Sequence, residues 1–100
     1  MFYRHHKGND YYVLGITKSG VDTNKAGKYI EAKHTETGAT VNVFIYDGQF
    51  NVQYEEKLVL YIDTQGQYWL RPEEMFLGDA LVDGKEVRRF KPFNPRTMIK

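Results

Sequence analysis

Trp69 and Arg71 are the most chemically suggestive pair in this 100-residue chain. They stand two positions apart, and on an extended strand that spacing puts both side chains on one face. An indole offers a stacking surface. A guanidinium offers a fork of donors that matches a phosphate or a carboxylate. Near the start, Tyr3, Arg4 and His5 repeat the mixture of aromatic and cationic groups, with Lys7 beside them. Such a constellation can hold a small anion, such as a nucleotide, or an acidic peptide. The competing use is structural: Trp69 packs in a core and Arg71 pairs with Glu73 or Asp63.

The sites that catalysis would need do not survive geometry. Ser19 is the only serine, and no base is positioned near it by the sequence; nucleophilic catalysis needs one within hydrogen-bond reach. Gly20 and Gly27-Lys28 suggest a phosphate loop, but six residues separate them, and Tyr29 stands where a Mg²⁺-binding Ser or Thr is required. Asp47, Glu55 and Lys57 have the composition of a nuclease metal set. Eight extended residues between the two acids span about 25 Å, which places them at opposite ends of a hairpin. His5 and His6, adjacent on an extended segment, are expected on opposite faces. His34 with Glu36 makes only two metal-ligating groups. Glu73 and Glu74 suit the first turn of a short helix. We therefore expect no catalytic residue, no metal site and no cofactor.

These groups must be positioned by strands. Hydrophobic residues make up 41% of the chain and aromatics 15%, enough for one packed core without staples. Cysteine is absent, which removes disulfide frameworks and thiol chemistry. The longest clean apolar run is Leu58 to Ile62, far below the ~20 residues of a membrane helix. No apolar signal-peptide segment follows Met1. The expectation is a soluble, cytoplasmic protein.

The clearest element is a hairpin of Val41–Tyr46 and Gln49–Tyr54 around Asp47-Gly48, a pair suited to a type I′ turn. That turn sets Ile45 opposite Phe50, Val43 opposite Val52 and Val41 opposite Tyr54. Phe44, Tyr46 and Asn51 fall on the other face, so Phe44 and Tyr46 are candidate partner-binding aromatics. A second hairpin joins Leu58–Asp63 to Gln67–Leu70, pairing Leu60 with Leu70 and Tyr61 with Trp69 on opposite faces. Asp83-Gly84 marks a third. Other strands are expected at Tyr11–Thr17 and about Lys28–His34, with a mobile polar loop over Lys18–Gly27. One helical turn is expected at Pro72–Phe76, with Pro72 in its first position and Met75 and Phe76 plugging the core. Six or seven short strands and this turn predict an all-β fold: a small SH3-like barrel or strongly bent antiparallel sheet.

The net charge of +1 is unevenly spread. Residues 1–34 carry +3, residues 35–84 carry −7 and residues 85–100 carry +5. The basic end contains Lys85, Arg88, Arg89, Lys91, Arg96 and Lys100.

Tyr3-Arg4-His5-His6-Lys7-Gly8, Tyr12-Val13-Leu14-Gly15, Trp69-Leu70-Arg71-Pro72-Glu73-Glu74-Met75-Phe76 and the closing Gly84, Val87, Arg89 and Phe90 resemble the bacterial and phage family catalogued as domain of unknown function 1653. The resemblance implies a compact SH3-like barrel and no established reaction. It also implies that Tyr3, Arg4, His5, Trp69, Arg71, Pro72 and Phe76 converge on one patch. The family passes quickly from its first strand to the strand before the tryptophan, so residues 18–57 stand out as an insertion. The expected organisation is one domain over residues 1–93 and a basic tail over 94–100.

The expected function is a non-catalytic binding module, with an anion on Arg71, a stacking face from Trp69, and Tyr3, Arg4 and His5 along the rim. A second expectation is a protein-interaction module, such as a phage-type inhibitor of a host factor, acting or self-associating through Phe44 and Tyr46. A third is weak nucleic-acid binding through the basic end.

Overall fold

Turn chemistry sets the local registers. In this computed structural model, which describes residues 1–94, Asp47 and Gly48 take φ of 53° and 68°, and Asp83 and Gly84 take 53° and 77°. Both pairs have the two positive angles of a type I′ turn, whose twist matches that of the flanking strands. They join β5 (Thr40–Tyr46) to β6 (Gln49–Val52) and β9 (Asp79–Val82) to β10 (Lys85–Arg88). Ile45 lies opposite Phe50 as expected. The central hairpin, β7 (Leu58–Asp63) and β8 (Tyr68–Pro72), pairs Leu60 with Leu70 and Tyr61 with Trp69, also as expected.

The remaining strands are β1 (Phe2–His5), β2 (Asp10–Ile16), β3 (Lys18–Ser19), β4 (Tyr29–His34) and β11 (Phe90–Pro92). The described residues thus hold more strands than the six or seven expected. β1, β3 and β11 are too short to show a period in the sequence. Nine strands form one strongly curled half-barrel sheet, ordered β11-β1-β2-β7-β8-β4-β5-β6-β3, and β9–β10 is a separate ribbon. The sheet is not wholly antiparallel: β4 runs parallel to β8, and β3 parallel to β6. Residues 18–57 therefore extend the sheet by four strands rather than hanging from it as a lone hairpin.

The hairpin opens at its base. Val43 and Val41 leave β6 to pair with Ile30 and Ala32 of β4, and Tyr54 stacks on the His34 ring instead of facing Val41. Asn51, expected toward solvent, is 2% exposed, and its Nδ2 donates to the carbonyls of Phe44 and Gln49 at 3.2 Å. Its neighbour in the sheet is β3, part of the segment expected to be a mobile loop. That segment is pinned again where the Asp22 backbone N–H donates to Tyr46 Oη at 2.7 Å, and where Lys25 meets Asp47 at 2.6 Å.

Two cores lie on opposite faces of the β7–β8 hairpin. Leu58, Leu60 and Leu70 pack with Ala32, Val41, Val43 and Val52 on one side. Val59 and Tyr61 pack with Phe76 and Phe90 on the other, with Tyr3, Tyr11, Val13 and Trp69 at the margin. Phe76 comes from α1 (Glu73–Leu77), which follows Pro72 as its N-cap, one position earlier than expected. Phe76 fills the core, whereas Met75 stays 36% exposed, because a one-turn helix offers the sheet a single side chain.

The curl closes at Gly15, beside a register shift in β2. A Cβ there would stand 3.3 Å from the Phe50 ring of β6, although four strands lie between β2 and β6 in the sheet. Gly15→Ala is expected to destabilise the fold by about 1–2 kcal/mol through overpacking. Gly27→Ala, which meets open space, is the control. Urea denaturation giving equal midpoints for the two variants would show that the curl does not depend on this contact.

Candidate anion-binding cleft

Strand alternation divides the expected Tyr3-Arg4-His5 rim. Tyr3 and His5 face the second core, with ring centroids 5.2 Å from Phe76 and 4.9 Å from Phe90. Arg4 faces the opposite way. Its Nε and Nη2 donate to the two Asp10 carboxylate oxygens at 2.7 and 3.1 Å, and its Cζ lies 4.8 Å from the Phe93 ring centre. Three successive strand residues cannot line one rim.

Trp69 and Arg71 do share a face, but α1 and β11 cover it with Phe76 and Phe90. Trp69 Nε1 donates to Asp63 Oδ2 at 2.9 Å. Arg71 Nε donates to Tyr61 Oη at 3.3 Å, and its Cζ lies 5.3 Å from the Phe90 ring centre. Of the two acids expected for Arg71, Asp63 is thus taken by the indole, and among the described residues Glu73 makes no salt bridge to it. Neither Trp69 nor Arg71 lines either cleft described below. The proposed indole–guanidinium concavity is replaced by packing, because the second face of β7–β8 needs those side chains to exclude water.

An open cleft lies instead between the β1–β11 edge and the β9–β10 ribbon. It measures 510 Å³ and is lined by Arg4, His5, His6, Gly8, Val82, Val87, Arg88, Lys91, Pro92 and Phe93, a size suited to a small ligand. No acidic side chain is in this lining. Among the described residues, Arg71, Arg88, Arg89 and Lys91 form no salt bridge. Arg89 Nε is buried without a hydrogen-bond partner.

His5 and His6 are neighbours here, with ring centroids 4.3 Å apart. The strand ends at His5, and the Gly8 N–H donates to the His5 carbonyl at 2.8 Å in a tight turn. The expected separation onto opposite faces assumed extended backbone at His6. His5 Nδ1 accepts the Lys7 backbone N–H at 3.2 Å. Burial first, then the charges of His6, Arg71, Lys7 and Arg89, push the imidazole pKa down to about 4.

A second groove of 460 Å³ lies on the other side of the Arg4–Phe93 contact. Phe2, Tyr12, Tyr11, Ile62 and Phe93 give it aromatic and apolar walls, with Asp10 and Asp63 among them.

Other candidates are engaged elsewhere. Phe44 lies against Tyr29 at 5.5 Å, and Tyr46 holds the Asp22 backbone, so the expected exposed aromatics are both half-buried. The Ser19 hydroxyl donates to the Glu55 carbonyl at 2.8 Å. His34 is 2% exposed, and its Nδ1 accepts the Glu36 backbone N–H at 3.2 Å. Among the described residues no group of three metal-ligating side chains occurs, and no helix is long and apolar enough to cross a membrane. Of the expected basic tail, Arg96 and Lys100 lie outside the described residues. Of the cleft residues, Arg88 and Lys91 were read from the sequence only as part of a basic end for nucleic acid, and His6 and Phe93 were not singled out as site residues.

Fold and cleft together define a curled all-β domain with a basic surface cleft and a ribbon at its edge. Residues 49–92, from β6 through β11, match the model of the family described as protein of unknown function (DUF1653), the same family that the Trp69–Phe76 signature resembles. The match includes the ribbon and β11 walls of the cleft; Arg4, His5 and His6 precede it. No curated protein and no solved structure matches the chain.

The His5 position has a pH consequence. Its folded pKa lies below the ordinary value of 6.5, so the fold favours the neutral ring. Above pH 6.5 neither state holds the proton. As pH falls from 6.5 toward 4, the unfolded chain takes up a proton that the folded chain refuses, and stability drops. Solvent screening at this partly exposed ring limits the loss to about 1 kcal/mol. His5→Gln should flatten melting temperature against pH within this window relative to the natural chain. Parallel curves would remove His5 as the cause.

Proposed function

We propose that this protein is a non-catalytic binding module that holds an anionic group in the cleft between the β1–β11 edge and the β9–β10 ribbon. The observation that carries this reading is a cleft with Arg4, His5, His6, Arg88 and Lys91 in its walls and no carboxylate. A bound anion lowers the mutual repulsion of such groups and supplies acceptors in the form that arginine favours. Val82 and Val87 on the ribbon wall, with Pro92 and Phe93, add apolar lining for the rest of the ligand. The site is thus moved from Trp69 and Arg71 to His5, His6, Arg88 and Lys91, with Arg4 fixed between the two grooves by Asp10.

Partner contact through Phe44 and Tyr46 loses its premise, since both rings are half-buried against their own fold. A binding role without catalysis is supported by the Ser19 hydroxyl being committed to a backbone carbonyl. A cytoplasmic setting is supported by the cysteine-free composition.

A ligand that binds only the folded state raises the melting temperature with its concentration, by about 2.7 kcal/mol of stability at a hundredfold excess over Kd. Thermal shift with ATP, pyrophosphate and a tetraglutamate peptide should show this rise for at least one of them. Arg88 and Lys91 are exposed, so the double variant Arg88→Ala/Lys91→Ala should weaken binding about tenfold while leaving the ligand-free melting point within 2 °C, as surface changes usually do. No shift with any of the three at millimolar concentration would overturn the reading.

A further inference from the structure

The basic cleft does not end at Arg4. Arg4 and Phe93 line both it and the aromatic groove, so the two hollows of 510 and 460 Å³ are neighbours across one shared wall. That wall is stiff: Arg4 is held bidentately by Asp10, and its guanidinium rests on the Phe93 ring. The chemistry changes at the wall. On one side lie His5, His6, Arg88 and Lys91 with no acid. On the other lie aromatic rings with two carboxylates, Asp10 and Asp63. Phe2 and Tyr12 are 39% and 41% exposed, and their rings meet edge to face at 4.8 Å. Phe2 also meets Phe93 at 5.8 Å, so the three rings make one open apolar wall.

We infer that the ligand is an extended peptide whose acidic run lies in the basic cleft and whose adjoining proline-rich or apolar run lies against Phe2, Tyr12 and Phe93. This inference rests on the proposed anion site and specifies its ligand class. A free nucleotide has its charge on one side and one ring system on the other, and either hollow alone is large enough for a small molecule. A nucleotide seated within one hollow leaves the other to solvent. A peptide fits because its charge varies along its length, and aromatic-walled grooves suit extended proline-rich backbone, which is ordered before it binds. Asp10 and Asp63 repel an acidic run from the aromatic side, which fixes the hollow that takes the acidic half. The fixed Arg4–Phe93 wall means little of the surface must be ordered on binding.

Fluorescence anisotropy with labelled synthetic peptides tests this. The bipartite probe is Pro-Pro-Leu-Pro-Gly-Glu-Asp-Glu-Glu, also made with its two halves in reverse order. The control replaces the apolar half by Gly-Ser-Gly-Ser, and ATP is the nucleotide arm. At least one bipartite order should bind ten times or more tighter than its control. Tyr12→Ala and, separately, Phe2→Ala should remove that advantage and leave the affinity of the acidic control unchanged, while Tyr12→Phe keeps it. Arg88→Ala/Lys91→Ala should weaken both peptides. Bipartite and control peptides of equal affinity, or ATP binding where no peptide binds, would overturn the peptide inference and leave the anion site standing. No binding by any probe would remove both.

Discussion

Apolar side chains on both faces of the β7–β8 hairpin are the constraint around which this chain is arranged. A strand with one wet face alternates, whereas Leu58, Val59, Leu60 and Tyr61 are buried in succession. Two separate layers must therefore cover the hairpin. The strands of residues 18–57 curl over one face, and α1, β11 and the margin of β1 and β2 cover the other. Deleting one of the leucines from such a site typically costs about 2–5 kcal/mol, a large share of the stability of a small domain. The apparent insertion is thus half of the core.

Covering the second face also decides which polar groups are left for binding. Trp69 and Arg71 occupy that face, and their polar atoms are satisfied locally by Asp63 and Tyr61. A half-buried arginine without a carboxylate is tolerated because the Tyr61 hydroxyl and the Phe90 ring both offer negative charge density to it. The exposed cations beside this face are on β11, on the ribbon and in the turn after β1. They crowd one another there, and after burial, which is the larger cause, this positive charge helps hold the His5 pKa down. The same potential that disfavours an imidazolium favours an anion.

The ribbon β9–β10 gives the cleft its outer wall without belonging to the nine-stranded sheet. Leu81 on it is 74% exposed. Elements with few packed contacts are the ones that open at lowest cost. A wall of this kind is free to move, while the floor formed by β1 and β11 is held by the core beneath it.

The turns and the periods of the strands determined a great deal by themselves. Asp47-Gly48 and Asp83-Gly84 fixed two hairpins, because only a mirror-image turn fits their backbone angles and the strand twist. The two-residue period then placed Leu60 with Leu70, and Tyr61 with Trp69, on opposite faces. Those interactions are local, between residues a few positions apart, so sequence pattern is enough to specify them. Only the tertiary structure decided what lay on top of each face. The parallel pairing of β4 with β8, the approach of Phe50 to Gly15, the burial of Asn51 and the arrival of Phe90 over Arg71 join residues far apart in the chain. Several arrangements satisfy the same hydrophobic pattern locally, and the choice among them is made by packing and by solvation of the whole. For that reason Trp69 and Arg71 were legible as a pair on one face, with a pocket and half-buried packing both open to them, and the clustering of His5, His6, Arg88 and Lys91 appears only once both ends of the chain meet at one edge.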